Sequence, residues 1–219
     1  MPRSAKHTAL LAGATGLVGG ECLRALLASD RYERVTVLTR RDLGQAASHR
    51  KVRQVIVDFA QLESVREQLQ AGHVFCALGT TIRKAGSQDR FREVDFEYPR
   101  LLAKLSLASG ARHFSLVSAL GASRTSPFFY SRVKGDLEHS LRDMRWPSLC
   151  FVRPSVIAGE RAESRPLERL SGQLLRYAPA TWRPVAASDI AGAMIATALR
   201  EPPGVTVIES RDIPAAARA

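Results

Sequence analysis

The chain has 219 residues, of which 45% are hydrophobic and 24% charged, so it is long enough for one sizeable core and too short for two domains of typical size. Its 32 Lys and Arg residues outnumber its 21 Asp and Glu residues, and the net charge of +11 favours anionic ligands in general. The positive residues are scattered and form no basic block, which disfavours nucleic-acid binding and leaves the phosphate of a cofactor as the simpler explanation. We therefore expect a single domain that spans residues 1–219.

The cysteines, the histidines and the N-terminal segment limit metal chemistry and location. Cys22, Cys76 and Cys150 lie far apart without ligand spacing, so neither a disulfide framework nor a metal site is predicted. Each of the five histidines lacks a visible acidic partner or second ligand, so structural roles are expected for them. The apolar patch near the N-terminus is broken early by Gly13, and no apolar run approaches the roughly 18 residues that cross a bilayer. We expect a cytoplasmic protein with no membrane association.

Short apolar runs alternate with amphipathic helix patterns along most of the chain. Strands are predicted at residues 7–12, 35–38, 52–57, 73–78, 113–118, 149–152 and 205–208. Helices are predicted between them at residues 17–27, 61–70, 88–108, 127–145 and 188–199. Ser188 and Asp189 are expected to cap the last of these, a short helix is expected at residues 167–177, and the Ala/Arg tail is expected to fray.

This alternation predicts the fold class. Parallel strands need crossover connections, and helices in those connections cover the sheet. We therefore expect an α/β, Rossmann-type doubly wound parallel sheet with helices on both faces. Such sheets bind ligands beyond the carboxyl ends of their strands, so functional residues should follow strands directly.

A glycine-rich turn joins the first predicted strand to the first helix. In this turn Gly13 allows a tight bend, Gly16 lets the backbone approach a pyrophosphate, and Gly19 lets the helix pack closely. The N-terminus of the helix then offers free N–H groups to phosphates. The predicted cofactor contacts are Gly13, Ala14, Thr15, Gly16, Leu17 and Val18. The alternative is a glycine-rich turn with no ligand.

Two arginines follow the second strand, where sites specific for NAD carry an acid that holds the ribose 2′-hydroxyl. Arg40 and Arg41 instead offer charge-assisted contacts to a phosphate, which favours NADP (NADPH) as the cofactor. The alternative is that both are solvated surface residues. Asp58, just after the third strand, is expected either to accept a hydrogen bond from adenine or to cap the next helix.

Ser118, Tyr130 and Lys134 are predicted to form the reactive centre. Ser118 ends the fifth strand, and Tyr130 and Lys134 are four residues apart on the next helix, so the phenol and the ammonium share one face. An ammonium about 4 Å from a phenol favours the phenolate by about 4 kcal/mol at an effective dielectric near 20. Tyr130 is then expected to donate a proton to a carbonyl oxygen that Ser118 holds in place. The alternative is an exposed pair on a helix surface.

Several segments together resemble the atypical branch of the short-chain dehydrogenase/reductase superfamily, and within it the Tat-interacting-protein-like oxidoreductases and their small bacterial relatives. The resemblance rests on residues 76–81 (C-A-L-G-T-T), 94–95 (V-D), 118–122 (S-A-L-G-A) and 130–135 (Y-S-R-V-K-G). It implies a floor near the adenosine ribose made by Ala77, Leu78 and Gly79. It also implies that Pro154 and Val156 border the nicotinamide, and that a small substrate lid lies within residues 154–187.

The residues and the resemblance predict an NADP-dependent oxidoreductase that transfers hydride between NADPH and a small carbonyl substrate through Ser118, Tyr130 and Lys134. The alternative is an NADPH-binding regulatory or sensor protein with a protein partner and little or no catalysis, because the resembled family includes members discussed as regulators. We expect a monomer or a homodimer whose ligand is a small molecule.

Overall fold

Seven parallel strands form the central sheet of the protein. In the structure, a computed structural model, residues 6–158 and 183–219 are described. The strands are β1 His7–Ala12, β2 Tyr32–Thr39, β3 Val52–Ile56, β4 His73–Cys76, β5 His113–Val117, β6 Ser148–Arg153, β7 Ile157–Ala158, β8 Val185–Ala186 and β9 Gly204–Glu209. The sheet order is β3-β2-β1-β4-β5-β6-β9, and β7 and β8 form a separate parallel pair. The predicted doubly wound fold is confirmed, and the chain direction across the sheet reverses between β1 and β4.

Helices cover both faces of the sheet. Within residues 6–158 and 183–219 the α-helices are α1 Leu17–Ala28, α2 Ile82–Ala85, α3 Gln88–Arg92, α4 Tyr98–Ala108, α5 Phe129–Asp143, α6 Ala187–Arg200 and α7 Ile213–Ala216. Leu26 of α1 and Met194 of α6 belong to the core on one face. Leu102 of α4 and Leu137 of α5 belong to the core on the other. Strands buried on both faces explain the continuous apolar runs of the sequence.

Two of the predicted helices differ in detail. The pattern at residues 88–108 contains a π-helical turn, Glu93–Glu97, between α3 and α4. The predicted helix at residues 61–70 is a 3₁₀ segment, Phe59–Gln68, with non-helical backbone at Gln61 and Val65. Its buried side chains, Phe59 and Leu62, are three residues apart, a spacing that three residues per turn brings to one face.

The C-terminal region corrects two expectations. The tail does not fray: α7 follows β9, and Ile213 is fully buried in the core beside α6. Ser188 and Asp189 lie inside the first turn of α6, whose N-cap residue is Ala186. The small residues of the tail led to the prediction that it frays. An alanine-rich segment is nevertheless apolar enough to pack when a neighbouring helix offers a surface.

The predicted lid lies largely outside the described residues. The short helix expected at residues 167–177 falls wholly outside them. At the ends of the segment, β7 and β8 pair through Ile157 with Val185 and Ala158 with Ala186. A substrate lid therefore stays a prediction, although the two chain ends that enter and leave the segment are held side by side.

Two adjacent glycines of α1 give a matched test of the packing. A Cβ on Gly19 would lie 2.0 Å from the Gly13 carbonyl oxygen, whereas a Cβ on Gly20 would lie 3.5 Å from the Ala14 oxygen. Gly19→Ala should therefore lower the free energy of unfolding by about 3 kcal/mol through steric overlap. Gly20→Ala should raise it by about 0.5–1 kcal/mol, because alanine favours the helix interior. Urea unfolding followed by circular dichroism measures both, and equal midpoints for the two variants would contradict this packing.

Candidate functional site

A cavity of about 660 Å³ opens at the carboxyl ends of β1, β2 and β4, where the sheet order reverses. Ligand pockets typically measure about 300–1,000 Å³, so the volume suits a cofactor. Nine predicted contact residues line it: Gly13, Ala14, Thr15, Gly16, Arg40, Arg41, Ala77, Leu78 and Gly79. Nine further residues that were not predicted as contacts also line it: Leu38, Thr39, Phe59, Thr80, Lys84, Ala85, Arg90, Val94 and Tyr98.

The glycine turn forms one wall of the cavity. Gly13 has a φ of +93°, and a Cβ there would lie 2.4 Å from the Ala77 carbonyl oxygen. The Gly16 N–H donates to the Gly13 carbonyl at 2.9 Å, which closes the turn, and Gly16 is the N-cap of α1. Only glycine at position 13 allows the backbones after β1 and β4 to come this close. The resulting cradle leaves room for a phosphate against the backbone.

Leu17 and Val18 open α1, and their backbone N–H groups belong to the first helical turn, where N–H groups have no partner within the helix. The Val18 side chain is buried in the core. Any contact of Val18 with a ligand is therefore through the backbone. This is the arrangement in which a helix N-terminus binds an anion.

Four positively charged side chains line the cavity. Arg40 and Arg41 are exposed at the end of β2, and Lys84 and Arg90 line the same space. Arg90 is paired with Glu93. Among the described residues that line the cavity there is neither Asp nor Glu. The donor set therefore fits a phosphorylated ligand.

Asp58 takes the capping role that was one of its two predicted alternatives. Its Oδ1 accepts a hydrogen bond from the Ala60 N–H at 3.1 Å, at the start of the 3₁₀ segment. Phe59, the next residue, lines the cavity instead. The adenine contact of Asp58 stays a prediction.

Lys134 is buried beside the cavity and is held by an acid. Its Nζ lies 2.7 Å from Oδ1 of Asp95, and both side chains are almost completely buried. The Oδ2 atom of Asp95 accepts a hydrogen bond from the Thr80 N–H at 2.8 Å. Burial opposes the charge on Lys134, but the Asp95 carboxylate and the Tyr130 phenol outweigh it and raise the pKa of the ammonium. Lys134 is therefore a fixed cation, 3.9 Å from where a Cβ on Gly79 would lie.

Asp95 was not predicted as a site residue. It lies in the π-helical turn Glu93–Glu97, and Val94 of the same turn lines the cavity. Such single turns are frequent at functional sites, because the extra residue redirects a side chain. The only signal in the sequence was the Val94-Asp95 pair of the family resemblance. Nothing in helical periodicity indicates a turn of this kind.

Tyr130 lies in the first turn of α5, with 38% of its surface exposed. Its ring packs against Phe91, with 5.6 Å between ring centroids. Lys134 follows one turn later on the same helix, close enough for the phenol to influence the pKa of its ammonium. Tyr130 and Lys134 are therefore neighbours on α5, as predicted, but neither is among the residues that line the cavity.

Ser118 is bound to a different carboxylate. Its hydroxyl donates to Oε1 of Glu138 at 2.6 Å, in a buried position after β5. Arg153 also donates to Glu138, with distances of 2.9 Å and 2.6 Å to its two oxygens. The carboxylates of Glu138 and Glu209 raise the pKa of the Arg153 guanidinium above its usual range, although burial opposes them. The serine hydroxyl is committed to this network, so its predicted role of holding a substrate oxygen requires a change of partner.

Pro154 and Val156 follow β6 at the same edge of the sheet. The Pro154 carbonyl accepts a hydrogen bond from the Leu120 N–H at 2.9 Å, which ties this segment to the loop after β5. Val156 is exposed, and its carbonyl accepts from the Val185 N–H at 2.8 Å. These two residues do not line the cavity. Their predicted contact with nicotinamide stays a prediction.

The sequence is similar to one family model and to curated proteins. The model described as NAD(P)H-binding matches residues 13–146. Protein HTATIP2 of Rattus norvegicus is 37% identical over 172 residues, which are 78% of this chain and 71% of that protein. The mitochondrial protein FMP52 of Candida albicans is 32% identical over 187 residues, which are 81% of this chain and 82% of that protein.

Solved structures share the fold. An oxidoreductase of the short-chain dehydrogenase/reductase family from Burkholderia thailandensis has a TM-score of 0.77 and 18% identity, and the match covers 97% of this chain and 94% of that one. MoeE5 in complex with UDP-glucose and NAD has a TM-score of 0.70 and 17% identity, with 94% and 79% covered. At these identities the likeness establishes the architecture.

The comparisons correct the expectation of a cytoplasmic protein. The similar FMP52 proteins of fungi are named as mitochondrial. In the part of the chain that the structure describes, no helix has both the length and the apolar character needed to cross a bilayer. The features behind the expectation were reduced cysteines and the lack of a long apolar run, and these do not distinguish one aqueous compartment from another.

The glycine turn, the parallel sheet and the two sets of relatives agree with one another. The family model runs from Gly13 to Trp146 and covers every residue that lines the cavity. The resemblance inferred from short segments is thereby confirmed. The chain belongs to the NAD(P)H-binding family and is an atypical short-chain dehydrogenase/reductase homologous to HTATIP2 and FMP52.

Proposed function

We propose that the protein is an NADP-dependent oxidoreductase that transfers hydride between NADPH and a small carbonyl compound, with Tyr130 as the proton donor. The observation that carries this proposal is the Tyr130–Lys134 pair on α5, in which the Lys134 ammonium lies beside Gly79 of the cavity wall. A phenol that is partly exposed can reach a substrate, and a buried ammonium one turn away can hold it in place.

The charge of the cavity supports NADP over NAD. Arg40, Arg41 and Lys84 line it, and an acid that would bind a 2′-hydroxyl and repel a 2′-phosphate is missing from its described lining. The solved neighbour MoeE5 carries NAD. Sites specific for NAD carry an acid at the end of the second strand, next to the ribose 2′-hydroxyl. At that position, after β2, this chain has Arg40 and Arg41.

In the proposed reaction, Tyr130 and Lys134 have different roles. The dinucleotide, when bound, supplies or accepts the hydride. Tyr130 donates a proton to the carbonyl oxygen, while Lys134 fixes the phenol and the ribose. A lone ammonium about 4 Å away would favour a phenolate by about 4 kcal/mol, but the Asp95 carboxylate offsets most of that field. Lys134 therefore acts here mainly as a positioned donor.

A regulatory or sensor role is the second candidate. It is favoured because the two residues predicted to act with Tyr130 are both engaged elsewhere: Ser118 is bonded to Glu138 and Lys134 is paired with Asp95. A protein of this kind binds NADPH and transmits the bound state to a partner protein without turnover. Reduced cofactor that is bound tightly and never consumed would support this candidate.

Removal of the two arginines tests the cofactor. In the double variant Arg40→Ala/Arg41→Ala, the Kd for NADPH should rise about tenfold to a hundredfold, because charge-assisted contacts are worth about 1.5–3 kcal/mol. The Kd for NADH should change by less than about twofold. Arg53→Ala, an exposed arginine of β3 outside the cavity lining, is the matched control. Equal losses for both cofactors would reject the phosphate contact.

Replacement of the phenol tests the reaction. Tyr130→Phe should lower the rate of NADPH consumption with small aldehydes and ketones by about 10²–10⁴-fold, the usual contribution of a positioned acid. Its Kd for NADPH should stay at the wild-type value, and Ser131→Ala, the next residue on α5, should keep the wild-type rate. Wild-type turnover in Tyr130→Phe would remove Tyr130 from the mechanism. No consumption of NADPH by the wild-type protein across the panel would favour the sensor role.

Asp95 should set the pH range of the site. In Asp95→Asn, Lys134 loses the carboxylate that raises its pKa while burial still opposes its charge, so the pKa of the ammonium should fall. The alkaline limb of the pH dependence of kcat/KM and of NADPH binding should then move to lower pH. Asp136→Asn, an acid of α5 paired with Arg92, is the control. If the role of Asp95 is purely structural, Asp95→Asn will be less stable than the wild-type protein but will have the same pH profile.

A further inference from the structure

Histidines begin three neighbouring strands at the amino edge of the sheet, the edge opposite the cavity. His7 starts β1, His73 starts β4 and His113 starts β5. The sequence shows no acid near them, but the end of α6 brings Glu201 to this edge. The expectation that no histidine has an acidic partner is therefore wrong for His73, and also for the exposed His139, whose Nε2 lies 3.6 Å from Oδ2 of Asp143.

The geometry of this cluster is tight. Nε2 of the fully buried His73 lies 2.8 Å from Oε1 of Glu201. The His7 ring stacks on the His73 ring, with 4.4 Å between centroids. One ligand atom from each of His7, His73 and Glu201 lies within 4.8 Å of the others.

We propose that His7, His73 and Glu201 bind a Zn²⁺ ion, with water in the remaining position. Two imidazole nitrogens and one carboxylate oxygen are a ligand set that Zn²⁺ takes in proteins when one position stays open. The site is independent of the proposed oxidoreductase activity, because it lies at the other end of the strands.

Burial lowers the pKa of both His7 and His73 and outweighs the opposing effect of the Glu201 carboxylate, which favours the neutral form of each imidazole. The Tyr32 hydroxyl lies 2.8 Å from Nδ1 of His73. A hydroxyl both donates and accepts, so it can hold the proton on Nδ1 while Nε2 binds the ion. A hydrogen-bonded second nitrogen is the usual support of a metal-binding histidine.

Glu201 is held in an uncommon backbone conformation. It is the C-cap of α6 with a φ of +43°, a left-handed position that favours glycine. Its N–H donates to the Thr197 carbonyl at 3.0 Å. The left-handed turn thereby ends α6 at the point where the Glu201 carboxylate meets His73.

His113 does not belong to the site. Its Nδ1 bonds to Ser148 at 2.8 Å and its Nε2 to Ser115 at 2.7 Å, so both nitrogens are used. Burial lowers the pKa of His113 to about 3. This ring is a structural histidine, as the sequence analysis expected.

Two features oppose the ion, and both are testable. Arg112 donates to the same Oε1 atom of Glu201 at 2.7 Å, so its guanidinium competes with a cation. A tetrahedral Zn²⁺ with bonds of about 2.0–2.1 Å also needs ligand atoms about 3.4 Å apart. The ligand atoms of His73 and Glu201 are 2.8 Å apart, and all three ligand atoms lie within 4.8 Å of one another, so the side chains must shift to bind the ion. His7 is only partly buried and has the most room to move.

The test is titration of the tag-free, chelator-treated full chain with Zn²⁺ by calorimetry, together with Co²⁺ as a coloured probe of tetrahedral coordination. One ion per chain should bind. His7→Ala and Glu201→Gln should weaken binding by at least about tenfold, whereas His139→Ala, an exposed histidine of α5, should leave it unchanged. Arg112→Gln should tighten binding, because the competing charge is gone.

Two results would overturn the Zn²⁺ site, provided that the variants are folded. Circular dichroism checks that each variant is folded, and the half-exposed position of Arg112 makes that substitution mild. Absence of one-to-one binding in the folded wild-type protein overturns the proposal. Equal affinities of His7→Ala and His139→Ala also overturn it, because binding would then arise from surface histidines.

Discussion

The close approach of backbone at Gly13 is the constraint on which the rest of the site depends. Here the turn after β1 passes so near to Ala77, after β4, that a Cβ would meet the carbonyl oxygen at 2.4 Å. At the other end of the turn, Gly19 lets α1 lie directly against the Gly13 carbonyl. These two contacts bring the N-terminus of α1 to the point where the sheet order reverses. The cavity exists because no side chain fills that point.

Buried charge is the second organising feature, and each buried Asp, Glu and Lys side chain in the described part of the chain has a partner of opposite charge. Lys134 is matched by Asp95, and Glu138 is matched by Arg153. Removing one partner of such a pair typically costs about 3–5 kcal/mol, so each pair is held firmly in place. Both pairs involve α5, the helix that also carries Tyr130. The helix is thereby fixed relative to the cavity, and proton donation by Tyr130 would take place against a rigid support.

The same pairing changes the chemistry expected of the lysine. A free ammonium would act on the phenol mainly through its charge, whereas an ion pair acts mainly through position. Helix geometry alone predicts that Tyr130 and Lys134 are neighbours, but it carries no information about Asp95, which comes from another helix.

The two edges of the sheet differ in how far the sequence pattern predicts them. The carboxyl edge holds the residues that the sequence pattern points to, while the amino edge gathers His7, His73 and Glu201 from distant parts of the chain.

The sequence by itself determined the parallel α/β architecture, the glycine turn and the pair on α5, because each of these depends on local periodicity or on spacing within a few residues. It also indicated the family, from segments that are short but contiguous. Only the tertiary structure decided the partners of buried polar groups: Asp95 for Lys134, Glu138 for Ser118 and Glu201 for His73. These contacts join residues from 20 to 128 positions apart. Local pattern cannot specify them, because they arise only when packed helices and strands bring separate segments into one low-dielectric interior, where each polar group must find a partner.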